Sequence, residues 1–162
     1  MDKNTVFNSI IVSPPGRGKT TILRDLVRNI SNGIPEIGFR GVNVGLADER
    51  SEIAAMYKGI PQNDVGLRTD VLDNIPKSIG MKMLIRSMSP KVIVADEIGR
   101  EEDLEAINYA VCSGIKGIFT AHGDSIEDII KNPILGKLYN TNTFERFLFL
   151  DENRKIICKN IR

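Results

Sequence analysis

The segment from Ile10 to Val27, IIVSPPGRGKTTILRDLV, constrains the fold of this chain more than any other part of its sequence. An apolar run typical of a β-strand ends in a glycine-rich turn, and Gly18-Lys19-Thr20 then opens an amphipathic helical pattern. This order of strand, loop and helix is that of a phosphate-binding loop (P-loop), whose motif is Gly, four residues, then Gly-Lys-Ser/Thr. Ser13 replaces the first glycine of the motif. The alternative interpretation is a glycine-rich turn that only caps a helix.

The chemistry of the loop is retained despite Ser13. Backbone N–H groups in this loop, at the positive end of the following helix, are able to surround phosphate oxygens. Lys19 is predicted to neutralise the β- and γ-phosphates, and the Thr20 hydroxyl is predicted to bind Mg²⁺. Because prolines have no N–H to donate, Pro14 and Pro15 stiffen the approach to the loop. The predicted nucleotide-binding residues are Pro15, Gly16, Arg17, Gly18, Lys19, Thr20 and Thr21.

Apolar runs that resemble strands alternate with helical patterns along the chain. This alternation predicts an α/β fold with a mostly parallel sheet and helices on both faces. We predict strands at Asn8–Ser13, Val42–Ala47, Lys91–Ala95, Gly117–Thr120, Phe144–Leu150 and Lys155–Lys159, the last two joined by a turn at Asp151–Arg154 and therefore antiparallel. We predict helices at Lys19–Ile30, Pro76–Met88, Glu101–Ser113 and Ser125–Lys131, and a short helix after Arg50.

The composition restricts the domain number and the partners. With 162 residues and 41% hydrophobic residues, we expect one domain over residues 1–162. A net charge of +1 and only three tyrosines predict no nucleic-acid partner, since both phosphate attraction and base stacking are weak. No apolar run reaches the ~18 residues of a membrane-spanning helix. Cys112 and Cys158 are isolated, so we expect two reduced, partly buried thiols.

The stretch Tyr57–Pro76 contains two glycines and two prolines after Tyr57 and has no clean hydrophobic period. We predict a long loop here. A loop of that length inside a compact domain is either functional or a solvated excursion.

Two acids follow the apolar run VIVA in Val92–Glu97. The run is typical of a strand buried on both faces, and ligands of open α/β sheets bind at the carboxyl ends of strands. Asp96 is predicted to hold Mg²⁺ through its water shell, and Glu97 to orient or activate a water near the γ-phosphate. The alternative is an ordinary strand end with solvated acids.

A second pair of acids, Asp48 and Glu49, follows the short apolar strand of GLADERSE. Glu49 is therefore another candidate for the water-activating carboxylate, and spacing does not rank it against Glu97. The alternative is that these acids only favour the N-terminus of a helix.

The remaining candidates are one histidine and several arginines. His122 follows the strand that ends at Thr120, where a polar pair is able to sense the γ-phosphate, although a lone histidine is equally compatible with a structural role. Among the arginines near predicted strand ends or loops, Arg68 and Arg100 are the preferred candidates for stabilising transition-state charge, in the same subunit or a neighbouring one.

Four strings, SPPGRGKTT, DERSEIAAMYKGIPQNDVGLRTDVLD, MLIRSMSPKVIVADEIGR and TAHGDSIEDI, cover most of residues 10–150. Through them the chain resembles the stage III AA sporulation family of endospore-forming bacteria. At its four polar strand ends it also resembles the wider group of secretion-superfamily ATPases, the RecA-like motors of type II and type IV secretion and pilus systems. Residues 85–100 resemble the arginine-containing helix and Walker B segment, Asp48-Glu49 the acidic box, and Thr120-Ala121-His122 the histidine box.

The resemblance implies a RecA-like fold, ATP hydrolysis with Mg²⁺ and a homo-hexamer. It also implies a cytoplasmic position beneath membrane-embedded channel proteins that link mother cell and forespore. It implies phosphate and Mg²⁺ binding by Lys19 and Thr20, a Walker B role for Asp96, and water activation by Glu97 or Glu49. Family members carry an N-terminal domain before the P-loop strand, and we expect this chain to comprise the ATPase domain without it.

Three other functions remain open. A P-loop kinase for a small molecule is disfavoured because the arginines are spread and no lid helix is evident. A nucleic-acid-dependent ATPase is disfavoured by the charge and the few aromatics. A non-hydrolysing, nucleotide-dependent assembly module is disfavoured because Glu97 and Glu49 are both present.

Overall fold

The computed structural model describes residues 5–153 and 155–160. Arg154, the last residue of the predicted turn, lies outside the described residues. The strands are β1 (Ser9–Val12), β2 (Gly33–Ile34), β3 (Phe39–Arg40), β4 (Val44–Asp48), β5 (Met56–Tyr57), β6 (Ile60–Pro61), β7 (Thr69–Asp73), β8 (Val92–Ala95), β9 (Lys116–Ala121), β10 (Arg146–Leu150) and β11 (Ile156–Asn160). The helices are α1 (Lys19–Asn32), α2 (Lys77–Met88), α3 (Glu101–Cys112), α4 (Ile126–Lys131) and α5 (Leu135–Asn140), with a 3₁₀ turn at Pro35–Ile37.

Seven strands form one twisted sheet in the order β11-β10-β1-β9-β8-β4-β7. Strand β1 lies inside the sheet and is parallel to both neighbours, β10 and β9. The pairs β8–β9, β4–β8 and β4–β7 are also parallel, whereas β10 and β11 are antiparallel. The prediction of a mostly parallel sheet with an antiparallel C-terminal pair is therefore confirmed.

Two apolar cores, one on each face of the sheet, account for the buried strands. On one face, Leu23 and Val27 of α1 pack with β4, β8 and the segment around Ile53. On the other face, α2 and α3 contribute Met81 and Ile107. Because successive side chains of a strand point to opposite faces, β1 supplies residues to both cores. The predicted arrangement of helices on both faces is confirmed.

The predicted long loop at Tyr57–Pro76 is wrong, because it contains β7, a strand parallel to β4 at the edge of the sheet. An edge strand has one strand neighbour and is only half buried, and each residue of β7 is of intermediate burial. Its sequence, TDVLD, is accordingly more polar than that of the central strands.

Two smaller expectations are also wrong, and the structure contains short elements that the sequence does not predict. Residues 50–55, all within the described chain, form turns and bends instead of a short helix. Helix α5 was not predicted, and neither were the short hairpins β2–β3 and β5–β6. Cys112 and Cys158 are exposed rather than partly buried.

Within the described ranges, no helix combines the length and apolar character needed to cross a bilayer.

Candidate functional site

The P-loop joins the carboxyl end of β1 to the first residue of α1. Gly16 and Gly18 adopt positive φ angles of 75° and 89°, a backbone conformation that glycine reaches without steric cost. Gly18 is the N-cap of α1 and supplies no side-chain acceptor, so the first N–H groups of the helix have no side-chain cap. Among the described residues, and apart from the glycine itself and its chain neighbours, no heavy atom lies within 4 Å of the position that a Cβ would take at either glycine. The space beside both glycines is therefore open, as a bound phosphate group requires.

Lys19 is folded back over the P-loop and is only 6% exposed. Its Nζ donates to the carbonyl oxygens of Ser13, at 2.7 Å, and Pro14, at 2.9 Å. The same ammonium lies 3.2 Å from Nδ1 of His122. Desolvation lowers the pKa of Lys19, against the opposing charges of Asp96 and Glu97. The lysine is thus held beside the loop by groups that a phosphate is able to replace.

Asp96 connects the P-loop helix with β8 and β9. Its Oδ2 accepts a hydrogen bond of 3.0 Å from the Thr20 hydroxyl. Its Oδ1 accepts from the Thr120 hydroxyl and from the Glu97 N–H. Tertiary packing therefore brings together Thr20 and Asp96, which lie 76 positions apart in the chain.

The donor set at Thr20 and Asp96 fits Mg²⁺, which prefers oxygen ligands and keeps several of its sites for water and substrate phosphates. No group of three or more His, Cys, Asp or Glu side chains suited to a metal occurs among the described residues. A site that uses one hydroxyl, one carboxylate and nucleotide oxygens does not need such a group.

Glu97 is the convergence point of four other residues. Its backbone has a φ angle of 49°, which is unusual for a residue with a side chain. Its N–H donates to Thr120 Oγ1 at 2.8 Å, and its carbonyl accepts from Lys77 Nζ at 3.2 Å. Its carboxylate lies 3.3 Å from His122 Nε2 and 3.1 Å from an Arg50 guanidinium nitrogen. Both carboxylate oxygens are thus already paired.

The Glu49 carboxylate is held by two cations, Lys77 and Arg100. Lys77 Nζ lies 3.0 Å from one carboxylate oxygen, and Arg100 lies 3.7 Å from the other. Burial alone would raise the pKa of Glu49, but the hydrogen bonds and charge of Lys77, together with Arg100, lower it below its ordinary value. Glu49 is therefore kept ionised by the surrounding protein.

Asp48, the neighbour of Glu49, has a structural environment. Its carboxylate is 3% exposed and accepts N–H bonds from Glu52, Ile53 and Ala54. These bonds stabilise the turn after β4 in place of the predicted helix. One cleft is lined by Asp48, Glu49, Arg50, Glu52, Lys77, Asp96 and Glu97.

The other predicted residues take different positions. Pro15 and Thr21 are exposed beside the loop, and Arg17 lies 3.6 Å from Glu152 in the turn before β11. Arg68 is not brought into the site. It precedes β7 at the amino edge of the sheet, where its guanidinium donates to the carbonyl of Ser31.

Sequence reasoning missed Lys77. This lysine is 8% exposed and is the first residue of α2. A cation at the positive end of a helix is unfavourable unless an acid compensates for it. The lysine in the first turn of the predicted helix, just after Pro76, is the sequence feature that indicates a compensating acid nearby.

The family model described as sporulation stage III, protein AA, matches residues 1–158. The chain is 48% identical over 148 residues to stage III sporulation protein AA of Bacillus subtilis (strain 168), an alignment that covers 91% of this chain and 48% of the relative. The chain thus spans about half the length of that curated relative.

Two solved structures share the fold. The ATPase DotB of Legionella pneumophila superposes with a TM-score of 0.63 at 14% identity, covering 94% of this chain and 44% of that chain. The pilus retraction motor PilT with bound ADP superposes with a TM-score of 0.63 at 14% identity, covering 94% and 46%. At such low identity the likeness establishes the RecA-like fold of secretion ATPases and no more. The match over residues 1–158 establishes the closer relationship, and the chain belongs to the sporulation stage III protein AA family.

Proposed function

We propose that residues 1–162 act as one RecA-like ATPase domain that binds ATP with Mg²⁺ and hydrolyses the γ-phosphate. The observation that carries the proposal is the 3.0 Å hydrogen bond between Thr20 and Asp96. It brings the two predicted Mg²⁺ ligands together beside a P-loop with open space above its glycines. The ADP bound to PilT, a protein of the same fold, supports the choice of nucleotide.

In this proposal the P-loop N–H groups and Lys19 bind the phosphates. Lys19 exchanges its contacts with the carbonyls of Ser13 and Pro14 for phosphate oxygens, which better match its charge. Thr20 and Asp96 would hold Mg²⁺, and the ion would supply positive charge where the phosphate charge develops. The lowered pKa of Lys19 reflects the burial of its ammonium, a cost that bound phosphates would offset.

We assign water activation to Glu97 rather than Glu49. Glu97 follows Asp96 directly, and the partners of its carboxylate, His122 and Arg50, are about half exposed or more, whereas the Glu49 carboxylate is held by the buried ammonium of Lys77. The Lys19 ammonium is a donor only, so Nδ1 of His122 accepts from it, and Nε2 of the same ring lies 3.3 Å from the Glu97 carboxylate. Movement of the Lys19 ammonium to a phosphate would break its contact with His122. His122 would then be free to move relative to Glu97, and phosphate binding would change the surroundings of the Glu97 carboxylate.

The wider role follows from the family. We propose that the domain works in a homo-oligomer, a hexamer in the secretion ATPases that it resembles, at the cytoplasmic side of a membrane channel complex of sporulation. Family membership and the RecA-like fold support this role. The Arg100 side chain lies 3.7 Å from Glu49 and is 66% exposed, so it is able to contact a nucleotide or a neighbouring subunit.

The decisive test is ATP turnover by the chain, by its Lys19→Ala and Glu97→Gln variants, and by Lys82→Ala. Lys82 is a matched control because its ammonium pairs, among the described residues, only with Glu105. Lys19→Ala is expected to weaken ATP binding. Glu97→Gln is expected to bind ATP normally and to hydrolyse it about 100-fold more slowly or worse. Equal activity in all four proteins would overturn the site assignment.

A non-hydrolysing assembly module is the second candidate. It is favoured by the pairing of both Glu97 oxygens with His122 and Arg50, because these contacts compete with a water for the carboxylate. Tight ATP binding by the unmodified chain, with no turnover at any protein concentration, would support this candidate against the ATPase.

A further inference from the structure

We propose that Lys77 is a positioning residue, which joins the Glu49 carboxylate to the Glu97 backbone and thereby sets the direction of the Glu97 side chain. The inference deepens the ATPase function proposed above and rests on it.

The contacts of Lys77 converge on two acidic residues that follow different strands. Its Nζ lies 3.0 Å from Glu49 Oε2 and donates to the Glu97 carbonyl at 3.2 Å. Its backbone N–H also donates to Glu49 Oε2, at 3.3 Å. One residue at the start of α2 therefore bridges the end of β4 and the end of β8.

The position of this lysine is unfavourable for a purely structural cation. Its side chain is 10% exposed, so the ammonium has lost most of its water. It also stands at the positive end of α2. Glu49 offsets both costs, and the lowered pKa of Glu49 agrees with a permanent counter-ion.

Glu97 needs such support because of its backbone. A φ angle of 49° is strained for a residue with a Cβ, and strained residues persist where the surroundings hold them. Thr120 and Asp96 hold the N–H of Glu97, and Lys77 holds its carbonyl. Because the peptide groups on both sides of the Cα are fixed, the direction in which the carboxylate leaves the backbone is fixed as well.

The test compares Lys77→Met with Lys82→Met, a change on the same helix of a lysine that pairs, within the described part of the chain, only with Glu105. Lys77→Met is expected to lower kcat about 10- to 100-fold, because a small displacement of a reacting group has effects of that size. Its affinity for a fluorescent ATP analogue is expected to stay within about threefold of the original, since Lys77 does not contact the P-loop. Lys82→Met is expected to change neither quantity.

A double-variant cycle tests whether Lys77 acts through Glu97. In a Glu97→Gln background, Lys77→Met is expected to add little to the loss of kcat, since the group that it positions is already gone. Losses that multiply, or an unchanged kcat in Lys77→Met, would overturn the inference while leaving the ATPase assignment intact.

Two further measurements cover other outcomes. If Lys77→Met does not fold, Lys77→Gln replaces it, because its polar side chain tolerates the buried position but is uncharged and one atom too short to keep the contacts with both Glu49 and the Glu97 carbonyl. A normal kcat in that variant overturns the inference. If the chain shows no turnover that depends on Glu97, the ATPase proposal fails separately. The ¹³C′ resonance of Glu97 then decides the positioning role, and a resonance unmoved by the Lys77 change overturns it.

Discussion

Adjacent acids in this chain differ sharply in environment. Asp48 is buried and accepts three successive backbone N–H groups, whereas Glu49 faces Lys77 and Arg100 in the cleft. Strand-end position predicts that both acids lie at the ligand-binding edge of the sheet. Strand-end position does not distinguish the two acids, because the residues that contact them come from other segments, which only tertiary packing brings next to the end of β4.

The buried position of Asp48 leads to a stability prediction. In Asp48→Asn one acceptor oxygen becomes a donor that faces backbone donors, so we expect a loss of about 1–3 kcal/mol in the free energy of unfolding. Urea unfolding measures this loss. Asp64→Asn is the control, since Asp64 is exposed and accepts one N–H bond, from Gly66. Equal losses in the two variants would contradict the structural role of Asp48.

At the scale of elements, Glu145 joins the starts of three parallel strands. Its carboxylate accepts from the Asn8 N–H just before β1 and from Lys116 at the start of β9, both at 2.8 Å, and β10 begins one residue after it. Burial would raise the pKa of Glu145, but the hydrogen bonds to Lys116 and Asn8 and the nearby charges lower it below its ordinary value. The folded protein therefore favours the ionised form.

The pH dependence of stability follows from this direction. A carboxyl whose pKa is lower in the folded state stabilises the protein above its unfolded pKa, and that contribution disappears as the pH falls through the folded pKa. Glu145→Gln is therefore expected to cost at most about 1 kcal/mol at pH 7, since the side chain is more than a third exposed and solvent screens it. The difference from the unmodified chain is expected to shrink below about pH 4.

Thermal unfolding from pH 7 to pH 3 measures the Glu145 effect. Glu105→Gln removes a more exposed carboxylate, which pairs only with Lys82, and serves as the control. A difference that stays constant or grows toward low pH would contradict the assignment.

The elements themselves were predictable to different degrees. Each of the six predicted strands and the four predicted helices with stated bounds lies within two residues of an observed element, because their hydrophobic periods are strong. Strand β7 was missed because edge position and partial burial permit a polar sequence. The predicted helix after Arg50 does not form, because the N–H groups of residues 52–54 bond to the Asp48 carboxylate.

At the scale of the whole molecule, the parallel sheet places the carboxyl ends of β1, β4, β8 and β9 at one edge. Arg68, at the opposite edge, does not reach this site within its own subunit. Arg100 reaches Glu49 with most of its side chain exposed. In the proposed oligomer, a neighbouring subunit would supply further positive charge to the nucleotide.

This arrangement predicts that ATP turnover per subunit rises with protein concentration and then reaches a plateau, since oligomers form by mass action. The measurement is the initial rate over about a hundredfold range of concentration, with light scattering on the same samples to follow assembly. A rate per subunit that stays constant while the molecular mass increases would argue against catalysis at a subunit interface.

The sequence by itself determined the parallel α/β sheet, the P-loop and the edge of the sheet that carries Asp96, Glu97 and Glu49. It did so because hydrophobic period and glycine placement act locally, and because parallel strands bring all their carboxyl ends to one side. Only the tertiary structure decided which groups meet: Lys77 with Glu49, His122 with both Lys19 and Glu97, and Arg68 with Ser31 far from the site. These contacts join residues up to 103 positions apart, and they depend on how helices and loops pack against the sheet, which no local pattern records.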